Sequence, residues 1–287
     1  MHMKEPEPVI SVPMDNPGWR HGVLAALVLG SLFLMLSLAP ISQDPAYHSF
    51  ADTRTFAGIP NFVDVLSNLP FLLVGGWGLR FCLRMEAGVV RTAWAVFFVG
   101  TAFVGVGSAW YHWNPANDTL VWDRLPMTIA FMGLFVALLG EYVSTRLATY
   151  LLAPAVLLGI ASVLYWHWTG DLRPYVWVQF FPLLTVPAVM ILFRSNYSHR
   201  WLLPAALGLY VLAKVAELND LAIFRGTQEL VSGHSIKHLL AAAGCYCILL
   251  MLQRRKSAPW LRSLRSAPLQ SCNGMIQGRI DETNSGG

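Results

Sequence analysis

About eight stretches of roughly 20 mostly apolar residues run through this chain, at 21–39, 61–82, 92–112, 122–141, 149–167, 174–193, 201–218 and 234–253. A helix of that length crosses the hydrocarbon core of a bilayer, where every backbone polar group must be satisfied within the segment. The pattern therefore predicts an all-α membrane protein. Of the 287 residues, 55% are hydrophobic and 13% charged, against about a quarter charged in a soluble domain. A soluble globule, a disordered chain and a nucleic-acid-coating protein are excluded on that ground, and no nucleic-acid partner is expected. The first run could be read as a signal peptide, but it is too long for the apolar region of one. Leu38-Ala-Pro40 is also a poor cleavage site, so a spanning helix is preferred.

Positive charge in short loops sets orientation. Lys4, Arg20, Arg80, Arg84, Arg91, Arg146, Arg194, Arg200 and the basic stretch Arg254, Arg255, Lys256, Arg262, Arg265 and Arg279 fall on one side; Arg54, Arg124, Arg173 and Arg225 fall on the other. Both termini are thus expected in the cytoplasm. The pI of about 9.0 reflects the end of the chain, and residues 254–287, which lack apolar periodicity, are read as a flexible tail. Cys82, Cys245, Cys247 and Cys272 form no C-x-x-C pair, so neither a disulfide framework nor a thiolate metal site is indicated. The sequon at Asn117 lies in too short a loop to be used, and the one at Asn196 lies on the cytoplasmic side.

Polar and ionisable groups at membrane depth are costly and mark function by default. Here they gather at the non-cytoplasmic ends of the runs: Ser67 and Asn68 in the second, Ser108, Tyr111 and His112 closing the third, Asp123 opening the fourth, His234 and His238 opening the eighth. His234 and His238 are i, i+4, which puts two imidazoles on one helix face about 6 Å apart. His112 could supply a third nitrogen. Three imidazoles with an open position suit a catalytic zinc, which polarises a carbonyl and makes a bound water acidic near pH 7. Asp123 would be the base, and Ser108, one turn before His112, shares its face. Haem is disfavoured, since an i, i+4 pair cannot place histidines on opposite faces of a porphyrin. His21, His48, His167 and His199 are read as interface anchors. Lys214 and Glu217 are read as an ion pair that neutralises its own burial, with Asp220 beyond them.

Gly107-Ser-Ala-Trp-Tyr-His112, Asp123-Arg-Leu-Pro-Met127, Gly233-His-Ser-Ile-Lys-His238 and Ser67-Asn-Leu69 together resemble the alkaline ceramidase family, part of a superfamily of seven-helix zinc hydrolases that includes the adiponectin and progestin receptors. The resemblance covers about 61–253. It implies a seven-helix bundle and an intramembrane zinc amidase that hydrolyses ceramide to a sphingoid base and a fatty acid. His112, His234 and His238 match the zinc ligands, Asp123 the acid/base and Ser108 the serine beside the zinc's water. The expected organisation is 1–60 as N-terminus, extra transmembrane helix and outer loop, 61–253 as the ceramidase-like domain, and 254–287 as the tail. Tyr111, Asn68 and Arg173 are candidate substrate contacts. The family's eukaryotic members also hold calcium before their first helix. One expected Glu is Asn61 here, which puts calcium in doubt, although Asp52, Asn61 and Asp64 could form a weaker oxygen site.

The expected partner is a membrane lipid, ceramide or another N-acyl lipid. A receptor-like member with weak hydrolase activity is the alternative, and it lacks a large domain to receive a signal. A transporter would require broken helices in corresponding halves, and none is visible in the sequence.

Overall fold

A computed structural model of the protein describes residues 18–194 and 197–256. The Asn196 sequon and the chain beyond Lys256 lie outside the described residues. Among those described, the protein is helical: α1 (Gly18–Ser37), a 3-10 turn (Pro45–His48), α2 (Phe62–Leu66), α3 (Leu69–Cys82), α4 (Val89–Trp113), α5 (Asn117–Tyr142), α6 (Thr145–Thr169), α7 (Arg173–Leu192), α8 (Leu202–Leu218), α9 (Asp220–Gly226) and α10 (Gly233–Arg254). Seven spans are long and apolar enough to cross a membrane, with α2 and α3 taken as one; α8 with α9, bent by 81°, makes an eighth. The chain is an integral, multi-pass membrane protein.

The second run is broken where Pro70, at the start of α3, cannot donate a backbone hydrogen bond into the preceding turn. The fourth begins earlier than its apolar pattern suggests. Thr119 Oγ1 accepts the Ala116 N–H at 3.0 Å and donates to Asn114 O at 2.6 Å, so α5 starts at Asn117 and Asp123 lies two turns inside it.

Without a hydrophobic drive between helices in lipid, close backbone approach through small residues holds a bundle together. The α4–α5 pair shows this most plainly. A Cβ on Gly107 would lie 1.9 Å from Trp122 O, and one on Gly133 would lie 2.6 Å from Phe97 N. Around this pair α3 packs on α4, α6 and α7 on α5, and α10 joins α8 to α3. At one end of the bundle Trp94 Nε1 donates to Glu141 at 2.9 Å, and Glu141 also pairs with Arg255. Arg255 is only 2% exposed and stacks on Tyr197. This part of the stretch read as flexible tail is therefore built into the bundle, because a buried carboxylate and the Tyr197 ring await its guanidinium.

The extra helix α1 lies outside the bundle, against α7. Arg173, at the start of α7, donates to Leu38 O at 2.6 Å and Leu36 O at 3.3 Å, supplying donors to carbonyls at the end of α1 that lack a helical partner. Asp171 orients it through an ion pair of 2.8 Å and accepts the Ile41 N–H at 3.3 Å.

Two outcomes follow. Gly107→Ala should drive α4 and α5 apart and destabilise the protein by about 1–3 kcal/mol, visible as a lower Tm in detergent; an unchanged Tm would mean the helices separate freely. Hydrogen bonds from Arg173, opposed by a smaller effect of burial, hold the Asp171 carboxyl below its ordinary range. A lowered folded value gives stability that is complete above the unfolded Asp value of about 3.9 and is lost as pH falls through the folded one. Wild type should therefore be more stable than Asp171→Asn at pH 6, with the gap closing on acidification below pH ~4; a gap constant with pH would refute the assignment.

Candidate metal centre

The N-terminus of α10 carries two histidines because three neighbours set it in place. Ser232 Oγ accepts the Ser235 N–H at 2.9 Å as an N-cap, and Asp220 Oδ1 accepts the His234 N–H at 2.8 Å. Gly233 lets the turn start against α8, since a Cβ there would lie 2.2 Å from Ala216 O. The end of α4 is fixed by Asn61 Nδ2, which donates to His112 O at 2.8 Å.

These two ends bring His112, His234 and His238 together. Each offers one nitrogen within 4.8 Å of the others, and all three residues are buried. His112 Nε2 and His234 Nε2 lie 3.2 Å apart. Ser67 Oγ donates its single hydrogen to Asp64 O at 2.8 Å and lies 2.7 Å from His238 Nδ1. Toward the imidazole it is then an acceptor, so Nδ1 carries the proton and Nε2 keeps a lone pair. His238 Nε2 has no hydrogen-bond partner. A buried, unpaired acceptor beside two further imidazoles is a set of donors suited to a transition-metal ion such as zinc, and the triad could hold one. The Phe50 ring lies over His112 and His234, with centroids 4.6 and 4.7 Å away. Its loop is held by Ala51 N–H donating to Asp220 Oδ2 at 2.9 Å, so one carboxylate positions both the lid over the centre and one of its histidines.

Ser108 and Asp123 stand beside the close α4–α5 contact that Gly107 makes with Trp122 O. Together with His238 they line a cavity of about 180 Å³, more than ten times the least volume that holds one water. From this polar end the cavity runs past Phe131 and Leu134 of α5 to Leu138, with Val186 and Ile248 on facing helices. Fifteen residues of α5 separate Asp123 from Leu138, about 22 Å along the axis.

The three candidate substrate contacts lie outside this lining. Tyr111 is buried, with its hydroxyl 2.9 Å from His48 Nδ1. Asn68 donates to Asp64 O at 2.8 Å. Arg173 is engaged by Asp171 and the end of α1. The residues suggested for a calcium site are engaged by protein groups, save Asp64 Oδ2, which is buried without a hydrogen-bond partner. Asp52 is clasped by Arg54 through bonds of 2.6 and 2.8 Å; burial opposes ionisation there, but the Arg54 donors prevail and hold its carboxyl below the usual range. Asn61 serves His112, and Asp64 Oδ1 accepts from Ser232 at 3.0 Å and Ser235 at 2.5 Å.

Sequence reasoning passed over two groups. His48, read as an anchor, also reaches Asn117 Oδ1 at 3.0 Å. Lys237, inside the His-x-x-x-His motif, lies 2.8 Å from His234 Nε2 and 3.0 Å from Glu217, which also pairs with Lys214 at 2.7 Å. Its position three residues after His234, on the same helical face, was the available signal.

Removing the Ser67 hydroxyl tests the centre's outer support. Ser67→Ala should weaken metal affinity about 10–100-fold with the fold retained, measured by zinc competition against a chelator; unchanged affinity would show that this hydroxyl does not orient a ligand.

The Ceramidase family model matches residues 53–201, just over half of the chain, a span that includes Ser67, Ser108, His112 and Asp123. No curated protein matches the chain.

Proposed function

The chain belongs to the ceramidase family, and from that premise we propose that it is an intramembrane zinc-dependent amidase that hydrolyses ceramide or a related N-acyl lipid to a free fatty acid and an amine. The observation that carries this reading is the unpaired Nε2 of His238, buried beside His112 and His234 and opening on the same cavity as Asp123. A zinc ion bound there would supply Lewis acidity to the amide carbonyl and a water acidic near neutral pH. The rest of the chemistry belongs to side chains of this chain. Asp123 takes a proton from the attacking water and delivers it to the departing nitrogen, as a general base and then a general acid. Ser108, which lines the same end of the cavity, offers a hydroxyl to that carboxylate or to the attacking water. The apolar length of the cavity takes the acyl chain and excludes bulk water.

A lipid substrate is delivered by the bilayer. α7 packs on α1, α5 and α6, while α8 packs on α10; between α7 and α8, Gln179 Nε2 reaches Tyr210 Oη at 2.9 Å, and both residues line the cavity. In our reading both termini are cytoplasmic and the reaction occurs in the non-cytoplasmic half of the membrane.

Protein purified in detergent should hold about one zinc per chain. His238→Ala should lose the metal, whereas Asp123→Asn should keep it and lose turnover of a fluorescent ceramide by about 10²–10⁴-fold. Zinc in the wild type without cleavage of any N-acyl lipid would remove the amidase assignment; no zinc at all would remove the metal centre.

A further inference from the structure

The chain between α1 and α2 crosses the end of the bundle where α5 begins, and it is fastened along its length. Ile41 O accepts the Leu172 N–H at 2.8 Å, Gln43 Oε1 accepts from Arg124 at 2.6 Å, His48 meets Tyr111 and Asn117, and Ala51 N–H donates to Asp220. Ile41, Tyr47 and Phe50 of this strap pack on a buried cluster that includes Trp166 and Tyr175. Arg124 fixes its middle. Only 4% exposed, the guanidinium lies 4.1 Å from the Trp166 ring centre, 4.6 Å from that of Tyr175 and 5.6 Å from that of Tyr47. A buried guanidinium stacked on three rings holds each of them in place.

Two of those rings also face the cavity. Tyr47 and Tyr175 line it together with Asp123, Lys214, Glu217 and Lys237. The four charged groups cancel, two of each sign, so the lining asks for no charge on a headgroup. What it leaves unmet is a pair of neutral hydrogen-bonding groups. No hydrogen bond joins either phenol hydroxyl to another of the described residues. The Tyr47 hydroxyl lies within electrostatic reach of Glu217, Lys214 and Asp123; burial, with the charge of Glu217 adding to it, pushes this phenol up to about 12. It therefore keeps its hydrogen at neutral pH and has it to donate. The apolar end of the cavity, toward Leu138 and Ile248, suits the acyl chain. Tyr47 stands at the other end, so the group that meets it belongs to the amine half of the lipid.

We propose that Tyr47 is a specificity-determining residue whose hydroxyl hydrogen-bonds a neutral oxygen on the amine half of the substrate, and that the strap, upstream of the family's span 53–201, thereby completes the substrate site. This rests on the amidase reading above and adds to it the residue that reads the headgroup. Because Arg124 holds the ring, the hydroxyl is in place before the lipid arrives, and little ordering is lost on binding.

The test compares N-palmitoylethanolamine with N-propylpalmitamide, alike in length and charge and different in one hydroxyl. Both are titrated by calorimetry into the full chain as purified in detergent, with Asp123→Asn in every sample to stop turnover. With Tyr47 intact, the hydroxylated lipid should bind about fivefold more tightly. Tyr47→Phe keeps the ring against Arg124 and should bring the two affinities together by weakening the hydroxylated lipid alone. Equal affinities with Tyr47 intact overturn the proposal, as does a preference that survives Tyr47→Phe. Equal weakening of both lipids in Tyr47→Phe also overturns it, because that is loss of packing. Chains with Asp123 restored are then assayed for turnover of the same pair. A kcat/KM about fivefold higher for the hydroxylated lipid, lost in Tyr47→Phe, is the expected result. Cleavage of both lipids at equal kcat/KM overturns this inference and leaves the amidase reading standing. The binding preference without cleavage of either lipid or of ceramide overturns the amidase reading and confirms Tyr47 as a headgroup contact.

Discussion

The backbone contact between α4 and α5 is the constraint on which the rest of the site depends. Gly107 brings the two helices so close that the carbonyl of Trp122 occupies the space of an absent side chain. One residue further along each chain stand Ser108 and Asp123. One turn beyond Ser108 stands His112. Dispersion and backbone proximity, with no hydrophobic drive between helices, thus bring Ser108 and Asp123 to one end of one cavity.

Around that contact, polar groups buried at membrane depth are linked in a chain of mutual support. Asp220, at the 81° bend between α8 and α9, accepts from both His234 and Ala51. Asp64 takes hydroxyls from the first turn of α10, and its carbonyl takes Ser67, which in turn fixes the proton on His238. Each donor that holds an imidazole is itself held. That nesting makes the position of a nitrogen precise in a medium that gives no competing water.

Much of this was legible in the sequence. The eight apolar runs appear as the spans, and the His-x-x-x-His pair and Ser-x-x-x-His pair lie on single helix faces because helical periodicity requires it. The lateral meeting of α4 with α10 was not readable from spacing, since it depends on Gly107, Gly233 and the caps at Ser232 and Asp220. Arg173 misled for a physical reason: a cation at a helix start on the active side looks free until the end of α1, 135 residues earlier in sequence at Leu38, is seen to need donors. Lys237 was hidden inside a motif whose histidines drew the attention. Arg255 looked like part of a soluble tail because its partners, Glu141 and Tyr197, are remote in sequence.

The bend at Asn219, the turn capped by Ser232 and the two histidines behind it all come late in the described chain, with His234 lying 122 residues after His112. During synthesis the chain therefore carries a single imidazole of the triad until α10 enters the bilayer. A metal ion offered to the triad before then would meet one of its three histidines. In the amidase reading, loading would be coupled to the insertion of α10, and hydrolysis would follow only after the bundle that confines it has closed.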